Sequence, residues 1–139
     1  MHKKPRRGGL VHDTHGDTLV EFALSAVLFF LTIFGIAEFG IAVWQYNTVA
    51  DLAKEGARWA AVHGAASPAP ASGTAVRDYV SLRAIGISGI TVTTTPAPSS
   101  LNPGDTVTVV VTKTFRPGGT LIPHSAINLQ STARMIMAR

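Results

Sequence analysis

The sequence contains no cysteine and has few acidic side chains in its second half, and each shortage excludes a class of function. Without cysteine there is no disulfide framework and no thiolate chemistry. Only Asp78 and Asp105 are acidic after Arg58, so a pair of carboxylates for general acid–base catalysis is not expected there. No glycine-rich loop of the phosphate-binding type occurs. We therefore expect no enzyme, no cofactor and no small-molecule substrate.

Histidine is also too scattered to predict a metal site. Of the five histidines, His2, His12 and His15 lie in residues 1–16. His63 and His124 stand far apart in the rest of the chain. We expect no bound metal.

The positive charge is concentrated at the N-terminus. Of the net charge of +4, residues 1–16 carry +3, because this segment contains four basic side chains and one acidic side chain, Asp13. Those basic side chains are Lys3, Lys4, Arg6 and Arg7. The rest of the chain is close to neutral, with eight basic and seven acidic side chains, so nucleic acid is not an expected partner.

A long apolar run follows this basic segment. It extends from Leu19 to Val43 and is interrupted only by Glu21 and Glu38. At about 1.5 Å per residue, a helix of this length crosses the ~30 Å hydrocarbon layer of a bilayer. Only a helix satisfies the backbone of a single segment in lipid. The sequence predicts one transmembrane helix over residues 19–43, with the lipid membrane as a partner.

The flanks of this span predict its orientation. Basic residues precede it and few charges follow it closely, which places residues 1–16 in the cytoplasm and the C-terminal part outside. A cleaved secretory signal is the competing interpretation. Its apolar core would be shorter, and residues 44–46 (WQY) make a poor cleavage site. We expect a single-pass protein of the cytoplasmic membrane.

Small residues inside the span predict close helix packing. Gly35 and Gly40 leave thin helix surface where another helix can approach. Glu38 lies between them, about one turn before the outer interface. Two interpretations of its carboxylate stay open: extension towards water, or a polar contact between packed subunits.

The helical pattern continues beyond the membrane to about His63, because residues 47–63 lack proline and contain many alanines. Opposite charges three residues apart, Asp51 with Lys54 and Glu55 with Arg58, predict local ion pairs on this helix. We divide the chain into four parts. They are a cytoplasmic leader (1–16), a long helix (17–64), a Pro/Ser/Gly linker (65–73) and a small extracytoplasmic α+β domain (74–139).

The small domain is predicted to contain one short helix and about three antiparallel strands. Thr74 is the expected cap of the helix, which ends near Ala84. Its expected buried arc consists of Val76, Tyr79, Val80 and Leu82. Alternating apolar residues predict strands at residues 90–94, 106–115 and 127–137, with a type II turn at residues 102–105 and a loop at Gly118-Gly119. The apolar face of so small a sheet needs a cover, and either the outer half of the long helix or the short helix is expected to provide it.

Residues 16–22 (GDTLVEF) resemble the processing site of type IV prepilins. In that family a prepilin peptidase cuts after a glycine that precedes the apolar helix, and a glutamate stands at the fifth mature position. The resemblance implies cleavage between Gly16 and Asp17, with Glu21 as the fifth residue. The new amine of Asp17 is cationic at neutral pH, so Glu21 of a neighbouring subunit is expected to pair with it and fix the register of packed helices.

Three segments together resemble the TadE-like proteins, which are pilin-like components of tight-adherence (Flp pilus) systems. They are residues 20–24 (VEFAL), 34–40 (FGIAEFG) and 53–58 (AKEGAR). Lys54, Glu55, Gly56 and Arg58 are the residues of the third motif. Its interpretations are a solvated helix face or a subunit contact. The resemblance implies as partners a prepilin peptidase, other pilin-like subunits and the Tad secretion and assembly machinery.

Two functions from different classes follow. The first is a minor pilin-like membrane protein that takes part in assembly of Flp or type IVb-like pili, and so in tight adherence. The alternative is a membrane-anchored extracytoplasmic binding module that keeps its N-terminal segment and joins no filament.

Overall fold

A computed structural model describes residues 14–118 and 126–138 of the chain. It contains a long helix α1 (Thr14–Ala61), a short helix α2 (Gly73–Arg83) and strands β1 (Ile90–Thr95), β2 (Thr106–Phe115) and β3 (Ile127–Ile136). This order confirms the predicted α+β class. Most of the expected leader, Gly119 and His124 lie outside the described residues.

Helix α1 begins at Thr14 and ends at Ala61. Just beyond its last residue, the amide of His63 donates to the carbonyl of Ala60 over 3.0 Å. Gly64 and the prolines after it then turn the chain away from the helix. The chain divides into two compact units between Ile36 and Ala37. The second unit therefore contains the later part of α1, helix α2 and all three strands.

The capping residue of α2 is Ser72, not Thr74 as the sequence predicted. The amide of Ala75 donates to Ser72 Oγ over 3.2 Å, which satisfies one of the free amides of the first turn. The Thr74 hydroxyl instead lies 2.6 Å from the Ser72 hydroxyl. Ser72 was missed because both residues are good caps and the linker gives no apolar residue that fixes the start.

The expected buried arc of α2 is correct for Val76 and Val80 and wrong for Leu82. Val76 and Val80 are fully buried and Tyr79 is half-buried, whereas Leu82 is exposed. Leu82 follows Val76 by six positions, and at about 100° per residue this rotates Leu82 well away from the buried side.

The strands form one antiparallel sheet in the order β1-β2-β3. In its registers Val92 faces Val111, and Val111 faces Ser131. The chain enters β2 through the predicted turn at residues 102–105. There Gly104 has φ +96, and the amide of Asp105 donates to the carbonyl of Asn102 over 3.0 Å. The positive φ at the third turn position is the conformation for which glycine is needed.

One core holds the second unit together. Alternate residues of β2 are fully buried and face the two helices. The central members of this core are Val49, Ala53, Ala57, Val76, Val80, Val107, Val109 and Val111. The small side chains on α1 let the helix lie close to the sheet, so the expected cover of the sheet is provided by α1 and α2 together.

Candidate functional site

Among the residues that the structure describes, the first unit presents an apolar helix surface with nothing packed on it. Within α1 an 18-residue window is long and apolar enough to cross a membrane, and none of it is buried within the protein. A core helix of a water-soluble protein would be mostly buried. The large exposed side chains of this part include Leu19, Phe22, Leu28, Phe29, Phe30 and Phe34. So extensive an apolar surface needs lipid or other helices around it.

Gly16, Asp17 and Glu21 lie in the first two turns of α1, and all three are exposed. No atom of the described part of the chain lies within 4 Å of the position where Gly16 would carry a Cβ. Asp17 is in the first turn, where a carboxylate interacts favourably with the positive end of the helix dipole. Glu21 follows Asp17 by four residues, which places both carboxylates on one side of the helix.

Gly35 and Gly40 both present open helix surface, because no atom of residues 14–118 or 126–138 lies within 4 Å of a Cβ built on either residue. Gly35 is in the first unit and Gly40 in the second. Each leaves a place where the backbone of another helix is able to approach closely.

Glu38 lies in the second unit and is half-buried. It lines a groove with Gln45, Lys113 and Arg116, and a Cβ on Gly118 would lie 3.9 Å from Glu38 Oε1. The end of β2 therefore brings two cations to the groove that holds this carboxylate. The sequence left two interpretations of the Glu38 carboxylate, extension towards water and a contact between subunits. The structure adds a third, which is a polar contact within its own domain.

Gly56, in the segment 53–58, is buried at a close contact between elements. A Cβ on Gly56 would lie 2.7 Å from Val80 Cγ2 and 3.3 Å from Val109 Cγ1. Real Cβ atoms essentially never come as close as the first distance. Gly56 is therefore the position where α1 meets both α2 and the sheet, a role that the sequence pattern did not predict.

The charged residues around Gly56 are only partly paired as expected. Lys54 Nζ lies 3.6 Å from Asp51 Oδ1, as predicted. Glu55 does not pair with Arg58; its Oε1 accepts a hydrogen bond from Arg83 Nη1 over 2.6 Å. The expected Glu55–Arg58 pair is replaced because α2 places a guanidinium next to Glu55.

The ion pair of Glu55 and Arg83 adjoins a row of stacked side chains. We call this row the aromatic ladder, and it consists of Arg83, Tyr79, Trp59 and His63. The Arg83 guanidinium lies 4.6 Å from the centre of the Tyr79 ring. The Tyr79 and Trp59 rings stack at 4.8 Å, and Trp59 and His63 stack at 4.1 Å. His63 Nδ1 also lies 2.7 Å from the carbonyl of Trp59.

The ladder and the motif share one exposed surface. Asp51, Lys54 and Arg58 are exposed and line a groove with Glu55, Trp59 and Tyr79. We call this the motif surface. The sequence offered one signal for it, since Trp59 and His63 are four residues apart on a predicted helix. The partners from α2, Tyr79 and Arg83, depend on tertiary packing and had no local signal.

Comparison with known proteins gives one match. Residues 16–58 match the family model described as TadE-like protein. The match begins at Gly16 and ends at Arg58, so it includes the apolar helix and the residues of the motif surface up to Arg58. No curated protein and no solved structure matches the chain.

Proposed function

The chain belongs to the TadE-like family through residues 16–58, and from this premise we propose that it is a minor pilin-like membrane protein that acts in the assembly of Flp-type pili. The observation that carries the proposal is the extent of the match. It spans Gly16, Glu21 and the motif of residues 53–58, in order, on one helix. These residues include no nucleophile–base pair, and the proposed role is structural rather than enzymatic.

Processing after Gly16 is the first proposed step. The bond between Gly16 and Asp17 lies in the first turn of α1, where amides lack intrahelical acceptors. Glycine also has low helix propensity, so opening this turn for a peptidase costs little. Cleavage would remove the basic segment and leave a charged amine at Asp17.

Pairing of Glu21 with that amine is the second step. Glu21 is exposed on α1 among apolar side chains. A carboxylate in such surroundings is costly unless it is paired or reached by water. When processed helices pack side by side, the amine of one subunit would offset the charge of Glu21 in the next, and thereby set the axial register.

In this proposal the apolar helix anchors the protein in the membrane, and the compact second unit makes contacts outside it. The first 23 residues of α1 belong to the apolar unit and hold the protein in the cytoplasmic membrane, with the C-terminal part outside. Gly35 and Gly40 provide close approach to other pilin-like helices. The motif surface faces away from the core and is the place where we expect contacts with the Tad assembly machinery or with other subunits.

The test is the N-terminal sequence of the mature protein. We would extract the full chain from membranes of cells with and without a prepilin peptidase and determine its first residue by mass spectrometry. The proposal requires a start at Asp17 that depends on the peptidase. An N-terminus that still contains residues 1–16 in both strains would exclude pilin-like processing.

The second outcome would favour the alternative function, a membrane-anchored binding module. The second unit has its own core and its own sheet, which is what display outside the membrane requires. Under that alternative, replacing residues 19–36 by an unrelated transmembrane helix would leave function intact. Under the pilin-like proposal the same replacement abolishes assembly.

A further inference from the structure

We propose that the end of α2, together with the loop that joins it to β1, is a second membrane-contacting surface, which inserts Leu82 and Ile85 into the headgroup region of the bilayer that holds α1. The inference rests on the anchoring of α1 in a membrane and does not depend on pilus assembly. It assigns lipid, rather than a protein, as the occupant of this surface.

The two side chains are unusually exposed. Leu82 is 85% and Ile85 is 84% exposed, which is more than the 72% of Phe22 on the apolar helix itself. Ile87, two residues after Ile85, is buried in the core. The loop therefore directs Ile87 inwards and Ile85 outwards, and the end of α2 holds Leu82 outwards beside it. Two large aliphatic side chains so fully exposed and so close in sequence favour an apolar neighbour outside the chain.

The position of the loop identifies that neighbour. Along α2 the contacts with α1 move back towards the span: Tyr79 stacks on Trp59, and Arg83 reaches Glu55. Beyond α2, a Cβ on Gly86 would lie 3.3 Å from Trp44 Cη2. Trp44 directly follows the apolar run and is of the residue type that prefers the membrane interface. Helix α2 thus returns the chain to the level of the interface.

The loop is also held in place before any lipid is bound. Gly86 and Gly89 have φ values of +75 and +68, conformations that side-chain-bearing residues rarely adopt. The amide of Ile87 donates to the carbonyl of Ala84 over 3.4 Å, and Lys113 Nζ donates to the carbonyl of Ser88. A pre-ordered loop loses little entropy on insertion. Lys113 adds a positive charge beside the loop, which suits phosphate headgroups.

A second protein subunit is the competing occupant, and continuity with the span argues for lipid. Insertion of Leu82 and Ile85 would fix the domain at the membrane by two attachments, α1 and the loop. This would restrict rotation of the domain about α1 and present the motif surface in one direction relative to the bilayer.

The absence of cysteine makes a direct test possible, because each engineered cysteine is the only thiol. The variants are L82C and I85C, with F29C in the apolar helix and V62C, the residue directly after the far end of α1, as controls. Val62 is also apolar and exposed, which matches it to the loop residues. Each full-length variant is labelled with an environment-sensitive fluorophore and reconstituted in vesicles of phosphatidylcholine and phosphatidylglycerol. Quenching is then measured with lipids that carry a nitroxide at a shallow or a deep position.

We expect shallow quencher to reduce the fluorescence of the L82C and I85C labels, and deep quencher to reduce that of F29C. The V62C label should be affected by neither. Labels at Leu82 and Ile85 that behave like V62C, with F29C still quenched, would overturn the inference and leave the anchoring of α1 intact. An unquenched F29C label would overturn both. Loop labels that are shielded from water but unquenched, and that become exposed on dilution with lipid, would identify a second subunit as the occupant and overturn the proposal.

Labelled cysteines that perturb folding are detected by the near-ultraviolet circular dichroism of the stacked Trp59. Should they do so, the double variant L82S/I85S provides an independent readout. The fluorophore is then placed at S88C, in the loop itself. It is placed there both in the protein that keeps Leu82 and Ile85 and in the L82S/I85S double variant. The inference requires that shallow quenching at S88C decreases when Leu82 and Ile85 become serine. Equal quenching in the two backgrounds would contradict it.

Discussion

Gly56 of α1 lies so close to Val80 of α2 that no side chain fits between them. A Cβ on Gly56 would come within 2.7 Å of Val80 Cγ2. Glycine is a poor helix former, so its presence in the middle of a long helix has a cost in stability. The close approach of α2 and the sheet explains that cost. The same glycine lies between Glu55 and Ala57, so it sets how deeply this part of the motif sits against the domain.

We expect Gly56→Ala to destabilise the second unit. Forcing a methyl group into this contact costs about 1–3 kcal/mol through overpacking. The better helix propensity of alanine offsets up to about 1 kcal/mol of this. The measurement is denaturant unfolding of the full chain in detergent micelles, followed by the near-ultraviolet signal of Trp59.

Gly40→Ala is the matched control, because none of the residues described by the structure comes within 4 Å of a Cβ there. It should not lower the free energy of unfolding. The double variant G56A/V80A removes the Val80 Cγ2 methyl group that the new Cβ would meet, and it should recover part of the overpacking loss. Equal stabilities of G56A and G40A would show that α2 moves away from α1 without cost.

The pairing of Arg83 with Glu55 gives a second prediction. Both side chains are about half exposed, so the ion pair itself contributes about 0.2–1 kcal/mol. The contact of the guanidinium with the Tyr79 ring adds about 0.5–1 kcal/mol. We expect Arg83→Ala to lose about 1 kcal/mol of stability, with part of the loss disappearing in high salt.

Arg77→Ala is the control for this loss, since Arg77 on the same helix pairs only with its neighbour Asp78 among the contacts that the structure describes. Its effect should stay within about 0.5 kcal/mol. A double-mutant cycle with Glu55→Gln isolates the pair. If the cycle gives no coupling energy, the contact between Glu55 and Arg83 contributes nothing to the fold.

Much of the fold was predictable because its elements have strong local patterns. The limits of β2 follow from the alternating valines from Val107 onwards, and the turn before it follows from Pro103 and Gly104. The apolar helix was predictable from length and hydropathy alone. The exposure of the Leu82 side chain was not predicted, because its apolar character favours burial while the helical period directs it outwards.

The candidate sites were less predictable than the fold. The pairing of Glu55 with Arg83 joins residues separated by 27 others, and no local rule favours it over Arg58. The tight contact of Gly56 depends on where α2 lies. By contrast, the roles of Gly16, Asp17 and Glu21 come from the pattern of a processing site, and they remain predictions until the mature chain and its assembly are examined.

Glu21 carries the third prediction. We expect Glu21→Ala to insert into the membrane normally, because removal of a carboxylate makes the helix more apolar. Assembly of pili should be strongly impaired, since the amine of a neighbouring Asp17 would be left buried without a partner. The measurements are membrane fractionation and counting of pili by electron microscopy.

Ser25→Ala is the matched control for Glu21→Ala, because Ser25 is exposed one turn further along the same side of α1. It should leave both insertion and pili unchanged. Normal piliation in Glu21→Ala would remove the charge-pairing argument, whereas failure of insertion would show that Glu21 acts earlier, in membrane targeting.

Glu38 gives the last prediction, which separates the three interpretations of its carboxylate. If Glu38 balances Lys113 and Arg116 within its own groove, Glu38→Lys gathers three cations there and lowers the stability of the second unit. The combination E38K/R116E restores one opposite charge and should recover stability.

A subunit contact predicts a different result: E38K would leave the unfolding of the isolated subunit in micelles unchanged, yet it would block assembly, and R116E would not rescue it. Extension towards water predicts no effect on either measurement, because a lysine reaches the interface as readily as a glutamate. The half-buried position of Glu38 beside the end of β2 makes the first result the expected one.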